Sequence, residues 1–104
     1  MTVPQTSSPG PKGKILVIDD ELDIREGLHD LLTLEGGYLV ELAQNGGEGL
    51  QKLDGASYDL VLLDLMMPDM SGMDVLQQVR QRDRETPVFM ITEENGRHND
   101  HKPP

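Results

Sequence analysis

The sequence predicts an α/β fold in which four parallel strands alternate with three helices, and three observations carry that prediction. Short apolar runs rich in β-branched residues alternate with segments whose apolar residues recur at helical spacing. Two of the runs, Ile15-Leu16-Val17-Ile18 and Leu60-Val61-Leu62-Leu63, are apolar at every position, as strands covered on both faces must be. Both runs end in carboxylates, Asp19-Asp20 and Asp64. Strands joined by right-handed helical crossovers place ligands beyond their carboxyl ends, which makes those end residues the first candidates for a site.

Each element follows from its own pattern. After the first strand, Ile24, Leu28, Leu31 and Leu32 mark a helix from Leu22 to Glu35, closed by Gly36-Gly37. Tyr38 to Ala43 reads as a strand with Tyr38, Val40 and Leu42 on one face and Glu41 on the other. Gly46 to Gly55 carries Leu50 and Leu53, yet Gly46, Gly47 and Gly49 reduce it to a short, weak helix. Asp59 to Asp64 is the second buried strand. Met73, Leu76 and Val79 space out a third helix, and Thr86-Pro87 leads into a last strand, Val88 to Ile91.

Composition narrows the function. The 104 residues suffice for one domain, and with three aromatic residues its core must be aliphatic and Met-based. The absence of Cys excludes a disulfide framework, a thiolate metal site and a cysteine nucleophile. A net charge of −10 argues against binding nucleic acid or an anionic membrane. No apolar run is long enough to span a bilayer and the start lacks a secretory pattern, so a cytoplasmic location is expected. Residues 1–13, rich in Pro, Gly and Ser, read as a disordered leader, and residues 93–104 as a disordered polar tail. The folded part is expected over residues 14–92.

Asp19, Asp20 and Asp64, ending adjacent strands, would crowd three like charges together and raise one another's pKa. A hard divalent cation relieves that repulsion: Mg²⁺ takes oxygen ligands and often shares its site with a phosphoryl group. An ionised Asp beside it can attack phosphorus and form an aspartyl-phosphate. A single Asp-Asp pair after a strand is ordinarily a turn or helix cap. Joint occurrence at two buried strand ends is what points further.

VIDDE (17–21) with Arg25, LVLLDLMMPDMSGMDVL (60–76) and TPVFMIT (86–92) together resemble the receiver domain of two-component response regulators, especially receivers that precede transcription-activating domains. The resemblance implies a flavodoxin-like, doubly wound parallel sheet and a phosphoacceptor signalling domain, not an enzyme. It makes Asp64 the phosphoryl acceptor. It assigns Mg²⁺ to Asp19, Asp20, Asp64 and the Met66 backbone carbonyl, with Asp20 preferred over Asp19 as the direct ligand of the pair. Thr92 corresponds to the hydroxyl residue of the switch, and Pro68 and Gly72 shape the loop after the acceptor. A sensor histidine kinase is the implied phosphodonor. Glu21 and Arg25 read as exposed charge at a helix start, and Met66, Met67, Met70 and Met73 as loop packing.

The sequence also departs from the family pattern. A complete receiver has five strand–helix pairs, and here the pattern stops after four strands and three helices. No equivalent of the family's Lys is identified: Lys102-Pro103 lies only ten positions after Thr92, with no strand or helix between. Glu93 stands where the family has a small residue, and Gly36-Gly37 looks one residue longer than the usual turn. The expectation is a truncated or frame-shifted receiver whose last strand is an open edge, favouring a homodimer through that edge. The competing expectation is a non-phosphorylatable, receiver-like remnant or interaction module. A haloacid-dehalogenase-type phosphatase would need a second Asp where Met66 stands. His29 reads as a surface residue, and His98 and His101 belong to the tail.

Overall fold

The computed structural model describes residues 12–82 and 85–91. Strand β1 (Lys14–Ile18) leads to helix α1 (Leu22–Asp30), whose end runs on as a π-helical turn, Leu31–Glu35. Strand β2 (Leu39–Ala43), helix α2 (Gly46–Gly55), strand β3 (Leu60–Asp64), helix α3 (Gly72–Arg82) and strand β4 (Val88–Ile91) follow. The strands form one parallel sheet in the order β2-β1-β3-β4. The change of direction in that order falls between β1 and β3, where the two carboxylate-ended strands lie side by side.

The strict alternation of a strand divides the core in two. Leu16 and Ile18 of β1, Ala43 of β2 and Val61 and Leu63 of β3 face α2 and α3, where they pack with Leu50, Tyr58, Met67, Val75 and Val79. Ile15, Val17 and Val40 face the other way, with Leu28, Leu32, Tyr38, Leu42, Leu60 and Leu62 packed against them. Val40 and Leu42 share this face of β2 as expected, and Tyr38, which stands just before the strand rather than in it, packs on the same side. The second layer is thinner, since α1 buries no residue fully. No helix among the described residues is long and apolar enough to cross a membrane.

Local features refine the expectation. The extra residue at Gly36-Gly37 is absorbed by the helix end, where Gly36 N donates to Leu31 O, five residues back, at 3.2 Å. Gly37 then turns the chain into β2 with φ at +76°. Helix α2 spans Gly46–Gly55, the range expected of it. Its start is well capped: Asn45 Oδ1 accepts from Glu48 N at 2.8 Å, and Glu48 Oε1 accepts from Gln44 N at 3.0 Å. A Cβ at Gly49 would collide with Ile18, so this glycine lets α2 lie close on β1. Asp59 stands before β3 rather than in it, and its carboxylate accepts from Lys14 N at 2.8 Å.

Beside Asp59, Tyr58 OH donates to Glu41 Oε1 at 2.7 Å, and the Lys14 ammonium lies 4.9 Å from the Tyr58 ring centre. The Tyr58 hydrogen bond holds the Glu41 carboxyl below its ordinary range, and burial followed by Glu41 itself pushes the Tyr58 phenol up. A depressed carboxylate pKa adds stability above the unfolded value and loses it as pH falls through the folded one. Tyr58→Phe is therefore expected to cost about 1 kcal/mol at pH 7. That cost should shrink as acid protonates Glu41, as urea titrations at neutral and acidic pH would show.

Candidate functional site: an acidic cluster at the carboxyl end of the sheet

The register of the two central strands builds the site. Ile18 lies opposite Leu63, so the next residues, Asp19 and Asp64, leave adjacent strands at the same level. Both are fully enclosed, at 0% and 1% exposure. With Asp20 they offer carboxylate oxygens that all lie within 4.8 Å of one another. The three acidic residues singled out in the sequence are thus brought together.

Local hydrogen bonds hold each part. Asp19 N donates to Ala43 O at 3.1 Å, which ties the end of β1 to β2. Asp19 Oδ1 accepts from Glu21 N at 2.9 Å, so the carboxylate also helps start α1. Asp64 Oδ1 accepts from Met66 N at 3.0 Å, folding the chain sharply after β3. Gly72 N donates to Leu65 O at 2.8 Å, and a Cβ at Gly72 would lie 2.7 Å from both Asp64 O and Leu65 Cα. Only glycine allows α3 to start that close to the acceptor strand. Pro68 is exposed in the intervening loop, and Met66 is exposed while Met67 is buried against the α2–α3 layer. Thr92, Glu93 and Lys102 lie outside the described residues.

Arg25 is not free surface charge. Its guanidinium Nη1 donates to Asp19 O at 2.9 Å, which braces the backbone of the acidic pair from α1. Asp69, to which the sequence assigned no role, accepts from Gly46 N and Gly47 N of α2 at 3.3 Å each. Two glycines at a helix start were the only available sign that another group approaches there.

Burial pushes the Asp64 carboxyl above its ordinary range, and the facing Asp20 carboxylate adds to the rise, while the Met66 amide and Asp19 pull the other way. Asp64 Oδ2 is buried and has no hydrogen-bond partner. Leaving a buried charged acceptor unsatisfied is expensive, and a cation supplies what the protein withholds. The donor set, oxygens only, suits a hard divalent ion such as Mg²⁺. The residues present therefore fit such an ion.

With the folded pKa raised, Asp64 stabilises the fold only where it is protonated and weakens it as pH rises through that pKa. Asp64→Asn is expected to raise stability at pH 7 by about 1–3 kcal/mol. The gain should fade toward acidic pH, as thermal unfolding of both proteins in EDTA at the two pH values would reveal.

Comparison with known proteins agrees with this geometry. The family model described as the response regulator receiver domain matches residues 15–102, which reaches past the segment where the resemblance was read from motifs. The chain is 44% identical over 79 residues to the transcriptional regulatory protein DltR of Streptococcus agalactiae, covering 76% of this chain and 35% of that protein. It is 47% identical over 79 residues to the transcriptional regulatory protein ResD of Bacillus subtilis, covering 76% and 32%. It thus spans about a third of the length of these relatives. Among solved structures, the response regulator TrrA of Thermotoga maritima in complex with Mg²⁺-BeF aligns with a TM-score of 0.74 and 39% identity, covering 84% of this chain and 75% of that one. A structure of the histidine kinase ThkA in complex with TrrA aligns with a TM-score of 0.72 and 41% identity, covering 77% and 68%. Sheet order, acidic cluster and these similarities converge: the chain belongs to the response regulator receiver domain family.

Proposed function

We propose that Asp64 accepts a phosphoryl group and that Asp19, Asp20, Asp64 and the Met66 carbonyl hold Mg²⁺ beside it. The observation that carries this reading is the convergence of three carboxylates around a buried, unsatisfied Asp64 oxygen. The bonds at Asp64 Oδ1, Asp19 Oδ1 and Asp19 O pre-set the positions of these groups before any ligand arrives. An Asp64 carboxylate oxygen attacks phosphorus, the bond from phosphorus to the donor breaks, and its electron pair leaves with the donor. Bound Mg²⁺ supplies neutralisation of the charge on the phosphoryl oxygens. Thr92 is proposed as the residue that responds to the modification, and Pro68 and Gly72 as the residues that shape the acceptor loop.

A sensor histidine kinase is the proposed donor, supported by the ThkA–TrrA complex among the similar structures. A cytoplasmic location and a transcriptional output are proposed from the same likeness to transcriptional regulators. The intact acidic cluster favours the phosphoacceptor over a non-phosphorylatable remnant.

Incubation with acetyl phosphate followed by intact-mass spectrometry is the direct test. The expected result is a gain of one phosphoryl group that requires Mg²⁺ and is lost in Asp64→Ala. No gain under any condition, with folding verified by circular dichroism, would instead favour the interaction module.

Self-association through β4 has its own observation. Phe89 is 65% and Met90 36% exposed on this strand, which on its outer side pairs with no other strand among the described residues. A dimer is proposed there. Light scattering behind size-exclusion chromatography at micromolar concentration should report a dimer for the wild type and a monomer for Phe89→Lys combined with Met90→Lys. A wild-type monomer would dismiss the edge as an interface.

A further inference from the structure

We propose that Asp69 is a positioning residue for the acidic site: it clamps the acceptor loop to the first turn of α2 and thereby sets how tightly the site holds Mg²⁺. This rests on the assignment of Asp19, Asp20 and Asp64 as the Mg²⁺ site. Asp69 lies in the loop between β3 and α3, three residues after Met66, whose amide bonds Asp64 and whose carbonyl is the assigned fourth ligand. One end of that loop is fixed by Gly72 N donating to Leu65 O at 2.8 Å. The other fixed point is Asp69, whose Oδ1 and Oδ2 accept from Gly46 N and Gly47 N at 3.3 Å each.

The helix start is shaped for that contact. Glu48 N is already taken by Asn45 Oδ1, which leaves Gly46 N and Gly47 N as donors for a group outside the helix. A carboxylate at the start of a helix is also favoured by the helix dipole. A Cβ at Gly46 would lie 2.8 Å from Val75 Cγ2 and 2.9 Å from Met70 Sδ, so any other residue would push α2 off the loop and α3. Gly46, Met70 and Asp69 thus join the acceptor loop to α2. An outer group that orients a ligand-bearing loop controls metal affinity without touching the metal.

The test is calorimetric titration of Mg²⁺ into wild type, Asp69→Ala, Asp69→Asn and Asp74→Asn, with thermal unfolding of each in EDTA. Asp74 sits exposed in the first turn of α3 and reports the effect of removing one nearby negative charge. The expected order of affinity is wild type, then Asp69→Asn, then Asp69→Ala, with a loss of about tenfold for the alanine variant. Asp74→Asn should stay within about twofold of wild type, a difference in the range of screened surface charges. The Met66 amide resonance should shift in Asp69→Ala and not in Asp74→Asn. If Asp69→Ala fails to fold, the asparagine variant, which keeps the shape and one acceptor oxygen, decides through its affinity and the same resonance. Asp69 variants that melt earlier yet bind Mg²⁺ like Asp74→Asn would overturn the proposal and leave Asp69 a helix cap. A wild type that binds no Mg²⁺ would overturn the site assignment itself, a failure separable from the first.

Discussion

The parallel pairing of β1 with β3 is the constraint on which everything else here depends. Its register sets Ile18 against Leu63, and the two following carboxylates emerge side by side at the same end of the sheet. A slip of one strand by one residue would turn either Leu16 and Ile18 or Val61 and Leu63 toward the thin α1 layer and point that strand's alternate residues at α2 and α3. The core therefore fixes the register, and the register fixes the spacing of Asp19 and Asp64. Apolar packing of one layer thus determines the geometry of a polar site at its rim.

How far the sequence could be read follows from what each feature depends on. β1 and β3 were legible because burial on both faces leaves a continuous apolar run, and the site was legible because both runs end in Asp. Helix α2 was legible in its bounds, but the reason for its glycines was not, because helix propensity counts glycine only as a cost. Gly46 and Gly49 are there for close contact with Met70, Val75 and Ile18, partners supplied only by the tertiary fold. The π-helical turn at Leu31–Glu35 had a trace in the extra residue at Gly36-Gly37, but how a chain absorbs an insertion depends on its neighbours. Arg25 and Asp69 were missed as contacts for the same reason. The partners of Asp69 lie 22 and 23 residues away, and nothing local in a sequence announces such a pairing.

The two faces of the sheet are unequal, and the inequality has consequences for the site. Among the described residues, the α2–α3 face has ten buried residues in one cluster, whereas three form the buried part of the α1 face. Phe89 follows Leu62 across the sheet onto that thinner face and is largely exposed there. Apolar area in contact with water is the ordinary driving force for association. The acceptor loop, by contrast, is anchored on the thicker face through Met67, Met70 and Gly72. The most firmly packed layer is thus the one that carries the loop after Asp64.

That arrangement also explains why the site tolerates its own electrostatic strain. Asp64 is buried with one unsatisfied oxygen and a neighbouring carboxylate, a combination that by itself weakens the folded state. Relief could come from moving the loop so that water reaches the oxygen, but three separate attachments oppose this. Met66 N holds Asp64 Oδ1, Gly72 N holds Leu65 O, and Asp69 holds the start of α2. The first two bonds are short and lie within the turn itself, while the Asp69 bonds are longer and one of them is exposed. The longer contacts are the ones that connect the acceptor loop to α2. The fold thus holds three carboxylates together at the carboxyl end of the sheet and ties the loop beside them to α2.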